Sequence, residues 1–359
     1  MKTLIFRFLL IWIFSSNVSG FGQNHGQPYS IKSVEYWTYP VLTLQEAKDL
    51  APYSLIIIEL DNLFNNRASL ARIKELNPQA KLICYSNPME FFSPVGDDRP
   101  IQKKWAKLVE EKYPNWQLKT AAGGAAIFWP GMIMLNLSAA CPTYNIPGYG
   151  QVNYTQWMAQ ELLSILADTL WDGYYMDNGG GNISWLYQES TTQIDADNNG
   201  RPDDQAVLDS LWSQGIHDFL SQLRTARDLD FLLLANKGSL EFLDVLNGRF
   251  FEGFSCDYLG DKKDGGWHQC LANAIKIGPL TIFQVKNDED LEYGLASALL
   301  IDAYIAIGQD NLRHYPQLNY DLGKPVGVPM KLNNLFFREF EHGRVEVRPD
   351  LRQGKVILH

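Results

Sequence analysis

The sequence is poor in cysteine, in charge and in the short motifs of several enzyme classes. Charged residues make up 20% of its 359 residues, and the formal net charge is −10. No cluster of lysine and arginine is visible, which argues against nucleic acid as the main partner because phosphate backbones need clustered basic side chains. The chain also has no His-x-Glu, Gly-x-Ser-x-Gly or phosphate-binding glycine motif. These absences disfavour metalloproteases, esterases and kinases.

Four cysteines are few for a chain of this length, and their spacing fits no zinc signature. They are Cys84, Cys141, Cys256 and Cys270. Three disulfide pairings are possible, and free buried thiols are an equal alternative. We favour a Cys256–Cys270 pair, which would close a loop near the predicted site.

The N-terminus has the layout of a secretory signal peptide. Lys2 and Arg7 precede the apolar run Phe8–Phe14, and small residues follow up to Gly20. A membrane anchor is the alternative, but the run is shorter than the ~20 residues that span a bilayer. We expect residues 1–20 to be removed and the protein to be secreted or periplasmic. We expect no transmembrane segment after cleavage. The predicted cleavage site lacks the cysteine that a lipoprotein would have there, so the sequence does not indicate a lipid anchor.

Strand-like apolar runs alternate with amphipathic helical stretches, which predicts parallel β/α units. The fold class is therefore α/β, a (β/α)₈ TIM barrel over residues 30–325 with insertions after strands 3 and 4. A small C-terminal β element over residues 326–359 follows, because Glu341-His342-Gly343 separates two strand-like runs. The predicted strands are Val34–Tyr39, Leu55–Asp61, Lys81–Asn87, Gly173–Asp177, Phe231–Asn236, Arg249–Phe254, Thr281–Lys286 and Tyr304–Gln309.

Polar and aromatic side chains follow nearly every predicted strand. In a barrel the carboxyl ends of the strands meet at one mouth, where active sites are found. Aromatic rings also stack on the flat faces of sugars, although many serve only in packing. We therefore predict that the residues that bind substrate are Tyr36, Trp37, Asp61, Asn87, Trp129, Asn136, Asn178, Trp185, Asn236, Lys237, Gln284, Lys286 and Gln309.

Asp177 and Glu252 are the predicted catalytic pair. Asp177 ends an aromatic strand and precedes three glycines, which allow close approach of a ligand or loop. Glu252 lies between phenylalanines, whose desolvation would favour its neutral form and suit a general acid. Two carboxylates with different proton affinities are what glycosidic bond cleavage requires. Asp177 could instead cap a helix or anchor a loop, and the second strand offers Glu59 and Asp61 as rivals.

A set of ordered motifs resembles hypothetical glycosyl hydrolase family 15, from about Lys32 to the C-terminal hairpin. The resemblance implies a barrel similar to those of α-galactosidases and α-amylases. It places Asp177 at the fourth-strand carboxylate and Glu252 at the sixth-strand acid, whereas the run Gly179–Gly181 departs from the pattern. The motifs are Trp116-x-Leu118, Phe128-Trp129-Pro130, Met134-x-Asn136, Trp171-Asp172-Gly173-x-x-x-Asp177-Asn178, Asn236 and Phe251-Glu252-Gly253.

The predicted activity is hydrolysis of a poly- or oligosaccharide. The alternative is an exported barrel that binds glycan without cleaving it, and such a barrel would tolerate the loss of Asp177 or Glu252. A deacetylase or lyase would need a metal triad or another base, which we do not find in the sequence. The sugar, the anomer, retention or inversion, and the oligomeric state stay open.

The segment from Asp195 to Asp204 resembles the first part of an EF-hand calcium loop. Ala206 stands where a bidentate glutamate is expected, and Asp204 or Asp209 could replace it. A solvated acidic turn is the alternative, and no organic cofactor is indicated. The predicted ligands of a structural calcium ion are Asp195, Asp197, Asn199, the carbonyl of Arg201, and Asp203.

Overall fold

Eight parallel strands close into a barrel, which confirms the predicted fold class. The computed structural model describes residues 30–189, 193–254 and 266–359. The strands neighbour one another in sequence order, and the last pairs with the first. They are β1 (Ser33–Trp37), β2 (Leu55–Glu59), β3 (Lys81–Ser86), β4 (Gly173–Met176), β5 (Leu232–Asn236), β6 (Gly248–Phe251), β7 (Leu280–Val285) and β8 (Tyr304–Ile307).

Helices follow the strands and pack around the barrel. Several begin at side chains that accept hydrogen bonds from free backbone N–H groups: Thr43 and Asn153 form capping boxes, and Asp204 caps a long helix. The helices are α1 (Leu44–Leu50), α2 (Arg67–Leu76), α3 (Pro100–Lys112), α4 (Tyr154–Leu166), α5 (Gln205–Ala226), α6 (Trp267–Ile277) and α7 (Leu291–Ile301), with short ones at Asn62–Asn65 and Leu186–Glu189.

The strands divide the core into two layers because successive side chains point to opposite faces. One layer contains strand residues such as Ile57, Tyr175 and Phe250, and it fills the barrel interior. The outward-facing residues, for example Ile58, pack against helix residues such as Leu70. This alternation decides whether a residue near a strand end can reach the mouth or lies beneath a helix.

Two insertions extend the barrel after β3 and β4. The first contains two antiparallel pairs, Glu90–Phe92 with Met132–Met134 and Tyr144–Ile146 with Gly150–Val152. Its strand Lys119–Thr120 pairs with Ile194–Asp195 of the second insertion. The two insertions therefore form one structure, and it contains residues 195–204, hereafter the acidic loop.

The C-terminal β element is a four-stranded antiparallel sheet rather than a single hairpin. Its strands are β9 (Met330–Leu332), β10 (Leu335–Phe340), β11 (Gly343–Arg348) and β12 (Gln353–Leu358). The sheet packs closely on α7, because a side chain at Gly354 would come within 2.5 Å of the Glu292 carbonyl oxygen. The domain boundary at residues 325 and 326 stays a prediction.

The cysteine and N-terminal predictions are not settled. Cys84 and Cys141 are buried free thiols, and Cys270 is also buried. Cys256 lies outside the described residues, so its pairing with Cys270 stays a prediction. The predicted signal peptide lies outside them too. Within the described ranges, no helix is long and apolar enough to cross a bilayer.

Candidate active site

Asp177 lies directly after β4 and is held by three hydrogen-bond donors. The Tyr85 hydroxyl donates to Oδ2 at 3.0 Å, and the Asn236 amide donates to Oδ1 at 2.8 Å. The Asn178 backbone N–H also donates to Oδ1 at 2.8 Å. Burial raises the pKa of Asp177, while these donors oppose the rise by favouring the carboxylate. The site thus holds an oriented carboxylate rather than a helix cap.

Glu252 follows β6 and shares a donor with Asp177. The Asn236 amide nitrogen lies 3.0 Å from Glu252 Oε2, and Lys286 Nζ lies 3.7 Å from Oε1. The side chain is 45% exposed, so the desolvation we expected around it is absent. Phe250 and Phe251 are buried in the two core layers, whereas the Glu252 side chain lines the cavity.

The three glycines after Asp177 allow the loops after β4 and β5 to pack together. A Cβ atom at Gly179 would lie 2.7 Å from that of Ala235, and one at Gly180 would lie 2.6 Å from Lys237 Cδ. Lys237 has a φ of +70°, and its ammonium donates to Asn182 Oδ1 at 2.5 Å. The glycines therefore make room for neighbouring residues of the protein, and they place this lysine on the wall of the site.

A cavity of about 960 Å³ opens beside Glu252, and it reaches Asn178 and Asn236, two of the residues that donate hydrogen bonds to Asp177. Phe128 and Trp185 form one wall with their ring centroids 4.7 Å apart, and Trp129 lies beside Phe128, 57% exposed. Arg352 of the C-terminal sheet reaches the opposite rim. The cavity is lined by Met89, Phe128, Asn178, Gly180, Asn182, Trp185, Asn236, Lys237, Glu252, Gly253, Phe254, Lys286, Asn287, Asp290 and Arg352.

Five of the predicted substrate-binding residues line this cavity together with Glu252. They are Asn178, Trp185, Asn236, Lys237 and Lys286. They come from the loop after β4, from the end of β5 and the residue that follows it, and from the residue after β7. The structure therefore brings together the polar ends of β4 to β7, but not the complete ring of strand ends that we expected.

The aromatic residues of β1 lie elsewhere. Trp37 is 4% exposed, packs in the layer between barrel and helices, and donates its indole N–H to the Val41 carbonyl. Tyr36 points into the barrel interior, where its ring contacts those of Tyr85 and Tyr175. Neither side chain lines the cavity, because the alternation along the strand turns one outward and the barrel encloses the other.

The remaining predicted residues also make structural contacts outside the cavity. Asp61 is fully buried and accepts from the Ile101 N–H. Asn136 is fully buried and donates to the Ala196 carbonyl, which fastens the acidic loop. The amides of the other three donate hydrogen bonds to neighbouring residues. Gln284 donates to the Gly308 carbonyl, Gln309 donates to Thr38 Oγ1, and Asn87 donates to Glu90 Oε1.

Several residues around the site escaped the sequence analysis. Glu90 is a buried carboxylate that contacts Asn178, and its position inside the apolar run Met89–Phe92 was a usable signal. Asp290 and Arg352 form a bidentate ion pair at 2.8 and 3.1 Å on the rim. No local pattern marks Arg352, because its place depends on how the C-terminal sheet docks.

The acidic loop brings three carboxylates together. Oxygen atoms of Asp195, Asp197 and Asp203 lie within 4.8 Å of one another. Burial raises the pKa of Asp203, and the other two charges add to the rise. Of the two suggested replacements for the missing glutamate, Asp204 caps α5 through Oδ1, and Asp209 accepts hydrogen bonds from the backbone and hydroxyl of Ser184.

Comparisons with known proteins found one matching family model and several solved structures that are similar to this chain. Residues 74–344 match the model of hypothetical glycosyl hydrolase family 15, and no curated protein matches. A noncanonic maltogenic α-amylase from Thermotoga neapolitana is 11% identical with a TM-score of 0.49, covering 89% of this chain and 86% of its own. An α-N-acetylgalactosaminidase from Bifidobacterium bifidum is 9% identical with a TM-score of 0.48, and the similarity covers 88% of this chain and 52% of that enzyme's chain. The family match spans most of the chain.

Proposed function

The chain belongs to hypothetical glycosyl hydrolase family 15, and from this membership we propose that it cleaves glycosidic bonds with Asp177 and Glu252. The observation that carries the proposal is the Asn236 amide, which contacts both carboxylates. A carboxylate pair at one cavity is the arrangement that glycoside hydrolysis uses. Its substrate is a poly- or oligosaccharide that enters the cavity after β4 to β7.

The shared amide also supports a retaining mechanism. One nitrogen lies 2.8 Å from Asp177 Oδ1 and 3.0 Å from Glu252 Oε2, so these two oxygens are no more than about 6 Å apart. Retaining glycosidases place their carboxyl groups about 5–5.5 Å apart, whereas inverting enzymes leave about 6.5–9.5 Å for a water molecule. The short separation favours direct attack on the sugar by one carboxylate.

Asp177 is the better nucleophile and Glu252 the better acid and base. Three donors orient Asp177, and they stabilise the ionised form that attacks the anomeric carbon. Glu252 is open to the cavity, so it can protonate the leaving oxygen and later take a proton from the incoming water. In the first step the Asp177 oxygen bonds to the anomeric carbon as the glycosidic C–O bond breaks. In the second step water displaces Asp177 and restores both groups.

The aromatic wall supports binding of sugar rings. Phe128 and Trp185 line the cavity, and Trp129 extends the aromatic surface outward from it. Flat sugar faces stack on such rings, while amides such as Asn178 and Asn182 can bind hydroxyl groups. We therefore place the sugar beside the carboxylates between the aromatic wall and Lys237.

A panel of α- and β-linked p-nitrophenyl glycosides tests the activity and its stereochemistry. On a cleaved glycoside, NMR should show a first-formed sugar with the anomeric configuration of the substrate. Removing the nucleophile in Asp177→Gly should abolish this reaction. Added azide should then give a glycosyl azide of the opposite configuration, because the small anion attacks from the vacated side. Inverted product from the wild type would refute the retaining mechanism. Glycan binding without cleavage by the wild type would favour the non-catalytic alternative.

We also propose a structural calcium ion in the acidic loop and export of the protein. Three clustered carboxylates repel one another, and a hard cation with oxygen ligands would relieve that repulsion. Asp195 is buried at the pairing of the two insertions, so the ion would brace both. Export rests on the sequence of residues 1–20 alone. N-terminal sequencing of protein recovered outside the cytoplasm should find cleavage after about Gly20, and an intact Met1 there would contradict it.

A further inference from the structure

Glu90 is a buried acidic residue at the edge of the site that the mechanism above does not use. It begins the strand Glu90–Phe92 just after β3, and only 2% of its surface is exposed. Its neighbours Met89 and Phe91 belong to the apolar core. A carboxylate in such a place is costly unless its oxygens find donors or a proton.

The two oxygens of Glu90 have different surroundings. Oε1 accepts from the Asn87 amide at 3.0 Å and from the Asn178 amide at 3.4 Å. Oε2 is buried without a hydrogen-bond partner among the described residues. Half of the carboxylate is therefore satisfied, and the other half is suited to carry a proton.

Asn178 connects Glu90 to Asp177. It has a φ of +53°, an uncommon conformation for a residue other than glycine. Its side chain contacts Glu90, while its backbone N–H donates to Asp177 Oδ1 at 2.8 Å. The anchored side chain thus fixes the peptide that orients the nucleophile.

We propose that Glu90 is a positioning residue for Asp177: Glu90 anchors the left-handed Asn178 and carries a proton beside the nucleophile in mildly acidic solution. This role rests on the proposed function of Asp177. Burial raises the pKa of Glu90 to about 7, and the nearby charge of Asp177 adds to the rise. The amides of Asn87 and Asn178 oppose it. In its protonated form Glu90 exchanges no atoms with the sugar, so it acts only by shaping the site.

Stability as a function of pH tests the proton without a substrate. Because the folded pKa of Glu90 lies above its ordinary 4.5, its ionisation destabilises the fold as the pH rises from about 4.5 to about 7. Glu90→Gln mimics the protonated form and cannot ionise. Relative to wild type, its folding equilibrium constant should therefore improve on the order of a hundredfold between pH 4 and pH 8.

An exposed glutamate on α3 provides the matched control. Glu110→Gln should show no comparable pH-dependent difference from wild type, because water solvates this carboxylate. If the stability difference between Glu90→Gln and wild type is the same at every pH, the proposal that Glu90 carries a proton is wrong. If Glu90→Gln does not fold, Glu90→Asp replaces it in the experiment. Glu90→Asp should still lose stability as the pH rises. A Glu90→Asp variant whose stability does not fall with pH would contradict the proposal.

Kinetics test the anchoring. Glu90→Ala and Asn178→Gly each remove the contact, and glycine still tolerates the positive φ. Each should lower kcat about tenfold or more. KM should change little in Glu90→Ala but rise in Asn178→Gly, which also removes an amide from the cavity wall. The double variant should lose no more kcat than the worse single one. If the decreases in kcat of the two single variants multiply in the double variant, Glu90 does not act through Asn178 and the proposed anchoring is wrong. Glu90→Gln should follow the wild-type pH profile below about pH 6 and lack a transition near pH 7. A failure of the proposed function would be recognised separately, because an Asp177→Asn variant would then still hydrolyse the substrate.

Discussion

Two pairs of carboxylates at strand ends of the barrel differ in their access to the cavity. After β4 and β6, Asp177 and Glu252 meet at the Asn236 amide, and Glu252 is 45% exposed. After β2, Glu59 and Asp61 are both fully buried. There Gln102 of α3 donates to Glu59 at 2.6 Å, and the first turn of α3 donates to Asp61.

The comparison shows that a carboxylate at a strand end becomes a candidate catalyst only where the following loop leaves it accessible. After β4 a run of glycines lets the loops after β4 and β5 pack together, and Glu252 after β6 stays 45% exposed at the cavity. At β2 a helical turn and α3 close the space, and Arg99 neutralises part of the charge at 3.4 Å from Glu59. The same residue chemistry therefore serves the interior at one place and the cavity at the other.

The largest expected effect separates these two ends by activity. Asp177→Asn should lower kcat by several orders of magnitude, because an amide cannot form the glycosyl-enzyme intermediate. Asp61→Asn should keep kcat within a few-fold of wild type, since an amide oxygen can still accept from the Ile101 N–H. Steady-state kinetics on one cleaved glycoside measures both. The comparison fails if the Asp61 variant loses as much activity as the Asp177 variant.

Aromatic residues extend the contrast from charge to packing. Trp37→Ala should destabilise the protein by about 3–5 kcal/mol, because it empties a large buried site. Trp185→Ala should cost less stability and instead weaken sugar binding about tenfold, since Trp185 lines the cavity. Urea unfolding and titration with an oligosaccharide in an Asp177→Asn background separate the two effects. Weaker binding in a stable, folded Trp37 variant would show that our description of β1 is wrong.

The pH dependence of stability sharpens the comparison at the β2 end. Burial, together with the neighbouring Asp61, raises the pKa of Glu59 above its ordinary 4.5. A raised folded pKa means that the folded state holds the proton more tightly than the unfolded state. Stability is thus fully present below about pH 4.5 and falls as the pH rises toward the folded pKa. Glu59→Gln should flatten this decline by a few kcal/mol at most in urea unfolding between pH 4 and pH 9. An unchanged slope would show that folding does not raise the pKa of Glu59.

The barrel could be predicted because its signals are local. Buried runs such as Leu55–Glu59 and amphipathic stretches such as Arg67–Leu76 carry their own periodicity, and their alternation leaves few topologies open. Asp177 was also predictable, because the strand before it and the glycines after it fix its position. Exposure was harder to predict, since it depends on which residues the following loop brings over a strand end.

The errors at the site come from directions and distant contacts. Trp37 and Tyr36 are adjacent in sequence and point to opposite faces, so both could not have reached one cavity. Glu252 was assigned buried surroundings from its sequence neighbours, yet those phenylalanines turn inward. Glu90 and Arg352 join the site through an insertion and a C-terminal sheet, and their docking is set by tertiary packing rather than by local pattern.

A third acidic cluster gives the smallest expected effect and extends the comparison beyond the strand ends. Among Asp195, Asp197 and Asp203 only Asp195 is buried, and none of the three lines the cavity. If they hold calcium, removing it with a chelator should lower the melting temperature by a few degrees, and added calcium at about a hundred times its Kd should restore about 2.7 kcal/mol. Asp203→Asn should abolish this response, whereas Asp204→Asn should keep it because Asp204 caps α5. A melting temperature that does not respond to chelator or calcium, in protein without bound metal, would identify the loop as a solvated acidic turn held by its own backbone hydrogen bonds.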